Sequence, residues 1–294
     1  MNAWIDEEGR LRAGWRFVLG LMVAAFATMV STWAAEAAAH NHFRGFAFVY
    51  GALSSFLLIM AFCALLASAD RAEHPVRHLG FPREHWLRDW LAGAGTGTLM
   101  IAVAVTGIAI IGKLSFRWTF NWDIAALLLV EVVVIAVNAL SEELMFRSYP
   151  LQTLVDGGSV VFGVVVTSAL FGSAHLGNPH SSAFAIVNTI FVGALLAIGR
   201  VRSRALWFPW GIHFGWNLAL GVLFGLPVSG LNEFAVAVHG RAGGPSWLTG
   251  GAYGIEGGAL GTLAIAAGFL PVLLWTSSRR APLPLADQPL SGAE

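Results

Sequence analysis

Long apolar stretches separated by short polar turns dominate the pattern of the chain. A helix needs ~20 mostly apolar residues to cross the ~30 Å hydrocarbon core of a bilayer. Eight stretches meet this requirement: 14–35, 46–68, 90–112, 123–150, 158–178, 183–200, 205–227 and 257–277. Because lipid offers no hydrogen-bond partner to the backbone, each stretch is predicted to be helical. We therefore predict an all-α, polytopic membrane bundle of about eight transmembrane helices.

The connections between these stretches are mostly short and contain turn residues, as at Asp156-Gly157-Gly158. The longest connection, residues 228–256, is glycine-rich with scattered apolar side chains and could reach into the membrane interface. No soluble linker or internal repeat is evident. We therefore predict a single membrane domain over residues 1–294, which ends in a polar tail at 278–294.

Residues 80–90, between the second and third stretches, alternate apolar and charged side chains at helical spacing. This pattern predicts a short helix that lies in the membrane interface, with Trp86 and Trp90 as anchors. The alternative for this segment is a plain loop.

The composition agrees with a membrane protein and excludes several other classes. Of 294 residues, 56% are hydrophobic and 12% are charged, whereas about 25% of the residues of a soluble domain are charged. The 17 basic and 17 acidic residues cancel, so no basic surplus indicates a nucleic-acid partner. The single cysteine, Cys63, excludes an intrachain disulfide and a cysteine-rich metal site.

The basic residues are distributed unevenly along the chain. If the N-terminus is cytoplasmic, the inside segments of an eight-span topology hold 12 Lys and Arg residues and the outside segments hold 4. This bias predicts that both termini are cytoplasmic. The chain has 16 Arg but one Lys and is rich in Ala, Gly and Trp, which is typical of GC-rich bacterial coding. We therefore expect an integral protein of a bacterial plasma membrane.

Three of the apolar stretches contain ionisable or strongly polar side chains. They are Glu142, Glu143 and Arg147 in the fourth stretch, His175 at the end of the fifth, and His213 and Asn217 in the seventh. A charged side chain inside a bilayer costs ~2.5 kcal/mol or more, so such groups indicate a functional site.

Helical spacing divides these groups into a pair and a cluster. Glu143 and Arg147 are four residues apart, share a helix face and are predicted to form a buried ion pair. Glu142 points ~100° away from Glu143 on the same helix. Together with the polar groups of the other two stretches, Glu142 is predicted to face a shared, hydrated cavity.

The depth of Glu142 in the membrane depends on where the fourth helix ends. If the helix stopped at Glu142, this carboxylate would lie at one membrane edge and His175 near the other. We therefore predict that the helix continues to about Val155, with a kink at Pro150. Glu142 then lies ~20 Å from the cytoplasmic end of the helix, at ~1.5 Å per residue.

This set of side chains fits hydrolysis better than covalent catalysis. A carboxylate and an imidazole around one water can activate it as a nucleophile. A second imidazole and an asparagine can donate to the oxyanion of a tetrahedral intermediate. No Ser or Cys has a base partner at a suitable spacing. The residues therefore predict water-driven hydrolysis of an amide within the membrane.

The same residues resemble the three motifs of the CPBP intramembrane proteases. The motifs are Glu-Glu-x-x-x-Arg from Glu142 to Arg147, Phe-x-x-x-His from Phe171 to His175, and His-x-x-x-Asn from His213 to Asn217. That family includes type II CAAX prenyl endopeptidases and bacteriocin-processing (Abi) proteins. The resemblance covers about residues 80–225 and agrees in motif order, in spacing and in placement within successive apolar stretches.

The resemblance implies an all-helical membrane fold, endopeptidase activity and a role for each motif residue. Glu142 would be the base that activates water, with His175 beside it. His213 and Asn217 would bind the oxyanion, and Glu143 and Arg147 would support the site.

The family is often labelled metalloprotease, although a metal-free glutamate mechanism has also been argued. Glu142, His175 and His213 are plausible zinc ligands. However, the chain has no His-Glu-x-x-His motif, and no second carboxylate is evident as a base if Glu142 binds metal. We therefore predict that no metal is obligatory, with one divalent ion such as zinc as the alternative.

Two other functions fit the same residues. Glu142, His175 and His213 could form the relay of a proton-coupled transporter. The protein could also be a non-catalytic membrane scaffold or immunity protein. For a protease, the family's precedent is a prenylated C-terminal motif, but the bacterial composition favours a peptide or membrane-protein substrate.

Overall fold

The computed structural model describes residues 4–6, 9–40, 44–70, 74–111 and 113–277, and the predicted polar tail 278–294 lies outside them. The helices of four or more residues are α1 (Ala13–His40), α2 (Arg44–Ala69), α3 (Pro75–His78), α4 (Trp86–Ile110), α5 (Trp122–Arg147), α6 (Tyr149–Asp156), α7 (Val160–Ala174), α8 (Ala183–Ser203), α9 (Trp207–Leu218), α10 (Ser246–Thr249) and α11 (Ala259–Ser277). A short π-helix, Ala219–Leu223, continues α9.

Each of the eight apolar stretches contains a helix, as predicted. Within the described part of the chain, five helical segments are long and apolar enough to cross a membrane: Ala13–Ala34, Gly51–Ala69, Trp86–Ile110, Trp122–Asp156 and Ala183–Ser203. The apolar helices Val160–Ala174 and Ala259–Trp275 are shorter. The protein is therefore a helical integral membrane protein, whereas the count of eight spans and the cytoplasmic termini stay predictions.

The fourth apolar stretch forms two helices rather than one kinked helix. α5 ends at Arg147, Ser148 has non-helical backbone angles, and α6 begins at Tyr149. Pro150 explains the break, because it has no N–H to donate to the carbonyl of Phe146 and its ring would clash with that carbonyl. The predicted helical path to about residue 155 is correct, but the interruption precedes the proline.

The predicted interfacial helix at residues 80–90 is wrong. Residues 86–90 form the first turns of α4, and the short helix of this region is α3, at Pro75–His78. Because helix propagation is favourable once a turn has formed, the apolar residues after Trp90 extend the helix without a break.

A small sheet departs from the all-α prediction. Strands β1 (Leu114–Trp118) and β2 (Val238–Ala242) pair antiparallel, with Leu114 opposite Ala242 and Trp118 opposite Val238. The two strands come from the connection before α5 and from the long connection before α11. This pairing joins two segments that are distant in sequence and satisfies their backbone groups.

Glycines bring α4 and α9 into backbone contact. A Cβ atom at Gly93 or Gly97 of α4 would overlap the backbone of α9, and one at Gly211 or Gly215 of α9 would overlap the backbone of α4. Small residues at such spacing are typical of close helix contacts in membranes. We call this glycine contact between α4 and α9 the seam. It positions α9, which carries His213, against the core.

Candidate active site

A cavity of about 340 Å³ lies inside the bundle. Its walls come mainly from α5, α7, α8 and α9 and from the connection at residues 228–258, which we call the cap loop, and most of them are apolar. The polar side chains that line it are Thr28, Asn138, Glu142, His175, Asn178, Asn188, Thr189, His213, Asn217, Ser229 and Glu256. The four side chains predicted to share a cavity are all among them.

Glu142 presents a buried oxygen to this cavity. The side chain is 36% exposed, yet its Oε2 atom is buried and has no hydrogen-bond partner in the described part of the chain. Oε2 lies 3.7 Å from Nε2 of His213. This distance is longer than a direct hydrogen bond.

Glu143 holds the other side of the His213 ring. Its Oε1 atom is 3.0 Å from Nδ1 of His213. Because an ionised carboxylate can only accept hydrogen bonds, Nδ1 is the protonated nitrogen of the ring in this contact. Nε2 therefore faces Glu142 as an acceptor in the neutral ring or as a donor in the imidazolium.

The predicted ion pair of Glu143 and Arg147 is present and fully buried. Nη1 of Arg147 lies 3.1 Å from Oε1 of Glu143, and Nη2 donates to the carbonyl of Gly193 at 3.4 Å. The guanidinium also stacks 3.9 Å from the centroid of the Phe171 ring. Since the same carboxylate oxygen contacts His213, the pair extends to the cavity, which helical spacing alone did not predict.

His175 follows the last residue of α7 and also has a defined ring orientation. Its Nδ1 atom is 2.8 Å from the carbonyl oxygen of Phe171. A carbonyl only accepts, so Nδ1 donates and Nε2 is the acceptor of the neutral ring. Phe171 contacts both imidazoles, with ring centroids 4.8 Å from His175 and 5.9 Å from His213. The four-residue spacing thus sets the orientation of His175.

Several cavity residues were not predicted from the sequence. Asn178, Asn188, Ser229 and Glu256 line the cavity, and Glu256 comes from the cap loop. The available signal was weak, because the cap loop also contains a second acidic residue, Glu233. Glu131 of α5 was missed as well, but it does not line the cavity.

Two of the three candidate zinc ligands, Glu142 and His213, approach each other to 3.7 Å. Within the described ranges, no three His, Cys, Asp or Glu side chains form a group that could hold a metal ion. The need for a metal stays a prediction.

The fold and the cavity together define a class: an integral membrane protein with a buried polar site formed by side chains of its apolar helices. Residues 121–219 match the family model described as type II CAAX prenyl endopeptidase Rce1-like, which confirms the resemblance seen in the motifs and supports a protease. The match covers about a third of the chain, from α5 to α9, and contains all three motifs. No curated protein and no solved structure matches the chain.

Proposed function

We propose that this protein is an intramembrane endopeptidase of the CAAX-protease type, in which Glu142 activates a water molecule. The observation that carries the proposal is the position of Glu142 on the cavity wall, where its buried Oε2 has no partner among the described residues and faces His213 across 3.7 Å. Glu131 and Glu143 also have such an oxygen, but neither side chain lines the cavity. A buried carboxylate oxygen without a partner is costly in a structural role, whereas a base needs such an oxygen to receive a proton.

The proposed reaction uses only side chains of the cavity. Glu142 takes a proton from water as the water oxygen bonds to the scissile carbonyl carbon, and His175 lines the same cavity. The carbonyl oxygen becomes an oxyanion that accepts hydrogen bonds from Asn217 and His213. In that role His213 must also carry a proton on Nε2, because Nδ1 already donates to Glu143. The carbon–nitrogen bond then breaks, and the proton on Glu142 moves to the leaving amine.

The surroundings of the site suggest its substrate class. The cavity is lined mostly by apolar side chains, and two of the helices that form its walls, α5 and α8, belong to segments long enough to cross a membrane. Such walls suit a membrane peptide or a membrane protein rather than a soluble, charged peptide. We propose this substrate class, a bacterial plasma-membrane location and a reaction without an obligatory metal.

Replacement of Glu142 tests the proposal. Membranes of cells that express the intact protein are expected to contain new protein N-termini that are absent from cells expressing Glu142→Gln. The amide keeps the size of the side chain but cannot accept the proton, so a loss of at least ~100-fold is expected for a general base. Mass spectrometry of the N-termini measures the difference.

Glu131→Gln is the matched control, because it changes another carboxylate of α5 that does not line the cavity. It is expected to preserve cleavage. The same N-termini in the Glu142→Gln sample, or no new N-termini with the intact protein, would contradict the proposal. With purified protein, activity that is lost on chelation and restored by Zn²⁺ would contradict the metal-free form.

A further inference from the structure

Glu256 is a second carboxylate of the cavity, and unlike Glu142 it is fully engaged. It lies in a short 3₁₀-helix, Ile255–Gly257, of the cap loop. One carboxylate oxygen accepts from Nε1 of Trp216 at 2.8 Å. The other accepts from the backbone N–H of Ser229 and from its hydroxyl, the latter at 3.0 Å. Three donors therefore converge on this side chain.

The same region is attached to the helix bundle by further contacts. The side-chain amide of Asn188, on α8, donates to the backbone carbonyl of Glu256 at 2.8 Å. The side-chain amide of Asn178, from the connection between α7 and α8, donates to the carbonyl of Ser229 at 3.0 Å. Each of these side chains also lines the cavity. The cap loop is thus a fixed wall of the site rather than a loose connection.

The contact with Trp216 links the cap loop to the helix that carries two of the motif residues. Trp216 is buried, precedes Asn217 directly and lies three residues after His213 on α9. One oxygen of Glu256 contacts Trp216 of α9, and the other contacts Ser229 of the cap loop. The carboxylate of Glu256 therefore holds this part of α9 and the cap loop in one relative position.

Resting on the proposed function, we propose that Glu256 is a positioning residue, which ties the cap loop to α9 and so fixes Asn217 and His213 toward the reacting carbonyl. Its oxygens already accept three hydrogen bonds, whereas Oε2 of Glu142 accepts none from the described residues. Glu256 is therefore poorly placed to act as the base and well placed to orient its neighbours.

The kinetic test uses a quenched fluorescent peptide that contains a cleavage site found with the intact protein. Glu256→Gln places an amide N–H₂ or a neutral oxygen where the carboxylate accepted, and kcat is expected to fall about 10- to 100-fold, as for a small misplacement of catalytic groups. Trp216→Phe removes one of the three hydrogen-bond donors to Glu256 and should lower kcat by a smaller factor. The double variant Glu256→Gln/Trp216→Phe should have a kcat no lower than that of Glu256→Gln. Glu233→Gln, an exposed carboxylate of the same loop, should leave kcat unchanged.

The structural test measures how well the cap loop is held. Leu231 lines the cavity, so the variant Leu231→Cys in a Cys63→Ala background should react slowly with a charged maleimide. Glu256→Gln should accelerate this labelling at least ~10-fold, since about 1.4 kcal/mol of lost restraint changes an opening equilibrium by that factor. A cysteine at Trp247, which is 62% exposed, is the control and should react equally fast in both backgrounds.

The outcomes separate this inference from the proposed function. Unchanged labelling at position 231 in Glu256→Gln overturns the positioning role, whether or not cleavage falls. Faster labelling supports it even if the intact protein cleaves nothing, a result that would contradict only the proposed function. Glu142→Gln should abolish cleavage without a change in labelling. If Glu256→Gln does not fold, Ser229→Ala removes one donor and should accelerate labelling to a smaller extent.

Discussion

At the scale of single residues, Glu143 has two roles: it pairs with Arg147 and it contacts His213. Its position in the sequence predicts only the pairing with Arg147. Its Oε1 atom contacts the guanidinium of Arg147 and Nδ1 of His213, and both the carboxylate and the guanidinium are fully buried. The ion pair offsets the cost of burying two charges. The contact with His213 determines which ring nitrogen faces Glu142. One side chain therefore connects the stability of the bundle with the geometry of the site.

Variants of this pair should separate stability from activity. Glu143→Leu or Arg147→Met leaves one buried charge without its partner and should lower the free energy of unfolding by about 3–5 kcal/mol. The double variant Glu143→Leu/Arg147→Met removes both charges and should be more stable than either single variant. Thermal unfolding in detergent measures these differences.

The cleavage assay completes the comparison for this pair. The double variant should remain inactive, because His213 has still lost its Nδ1 partner. A double variant that is as unstable as the worse single variant would contradict the pairing. A double variant with restored cleavage would contradict the role of Glu143 in orienting His213.

Local spacing accounts for the residues that sequence reasoning found. Glu143 and Arg147, or Phe171 and His175, are one helical turn apart, so helix geometry alone places them together. Glu256 meets Trp216 40 residues away and Ser229 27 residues away, across a connection without a regular period. No local pattern predicts such contacts, since they depend on the path of the cap loop.

At the scale of elements, the seam between α4 and α9 sets the position of the helix that carries the third motif. Gly93 and Gly97 of α4 face Gly211 and Gly215 of α9, each pair being separated by four residues. This spacing was visible in the sequence, but many membrane helices contain glycines, and only the partner helix shows which of them are in contact. Gly95 shows the difference, because it lies on the same helix in open space.

Alanine substitutions should reveal this seam. A Cβ atom at Gly97 would overlap the carbonyl oxygen of Ile212, so Gly97→Ala should separate the helices and cost about 1–3 kcal/mol of stability, as overpacking does. Cleavage should fall with it, because His213 follows Ile212 directly. Gly95→Ala, with no atom within 4 Å of its Cβ, should be neutral or stabilising by up to about 1 kcal/mol. Thermal unfolding and cleavage assays check both variants, and equal effects of the two would contradict the close packing.

The elements also show where pattern reasoning failed. Apolar length located a helix in each of the eight predicted stretches, and five helical segments of the described residues are long and apolar enough to cross a membrane. The break was predicted at Pro150 but lies at Ser148, and the start of α4 at Trp86 was missed. Both depend on single backbone positions. The β1–β2 sheet was missed entirely, since its strands are five residues each and lie in two separate connections.

At the scale of the whole molecule, polar contacts gather at one end of the bundle. Arg16 pairs with Asp70 at 3.1 Å, Tyr149 donates to Asp70 at 2.7 Å, and Arg200 donates to Gln152 at 3.2 Å. The start of α4 belongs to this end, because Trp207 donates to the carbonyl of Pro82 at 2.7 Å. Several of the segments predicted to be cytoplasmic therefore meet in space within the described part of the chain.

The β1–β2 sheet marks the opposite end. It follows the C-terminal end of α4, whose 25 residues span about 38 Å at ~1.5 Å per residue. This length exceeds the ~30 Å hydrocarbon core, so α4 is long enough to place its two ends on opposite sides of a membrane. The sheet carries Arg117 and Arg241. These are two of the four basic residues in segments that the sequence predicts to lie outside the cell.

Labelling of intact cells should determine which end is cytoplasmic. In the Cys63→Ala background, single cysteines replace Arg83, at the arginine-rich end, and Trp247, near the sheet, and both positions are exposed. Because basic segments are retained in the cytoplasm, a membrane-impermeant maleimide should label the cysteine at 247 in intact spheroplasts and the one at 83 only after permeabilisation. The reverse pattern would invert the orientation, and labelling of both positions in intact spheroplasts would contradict a span by α4.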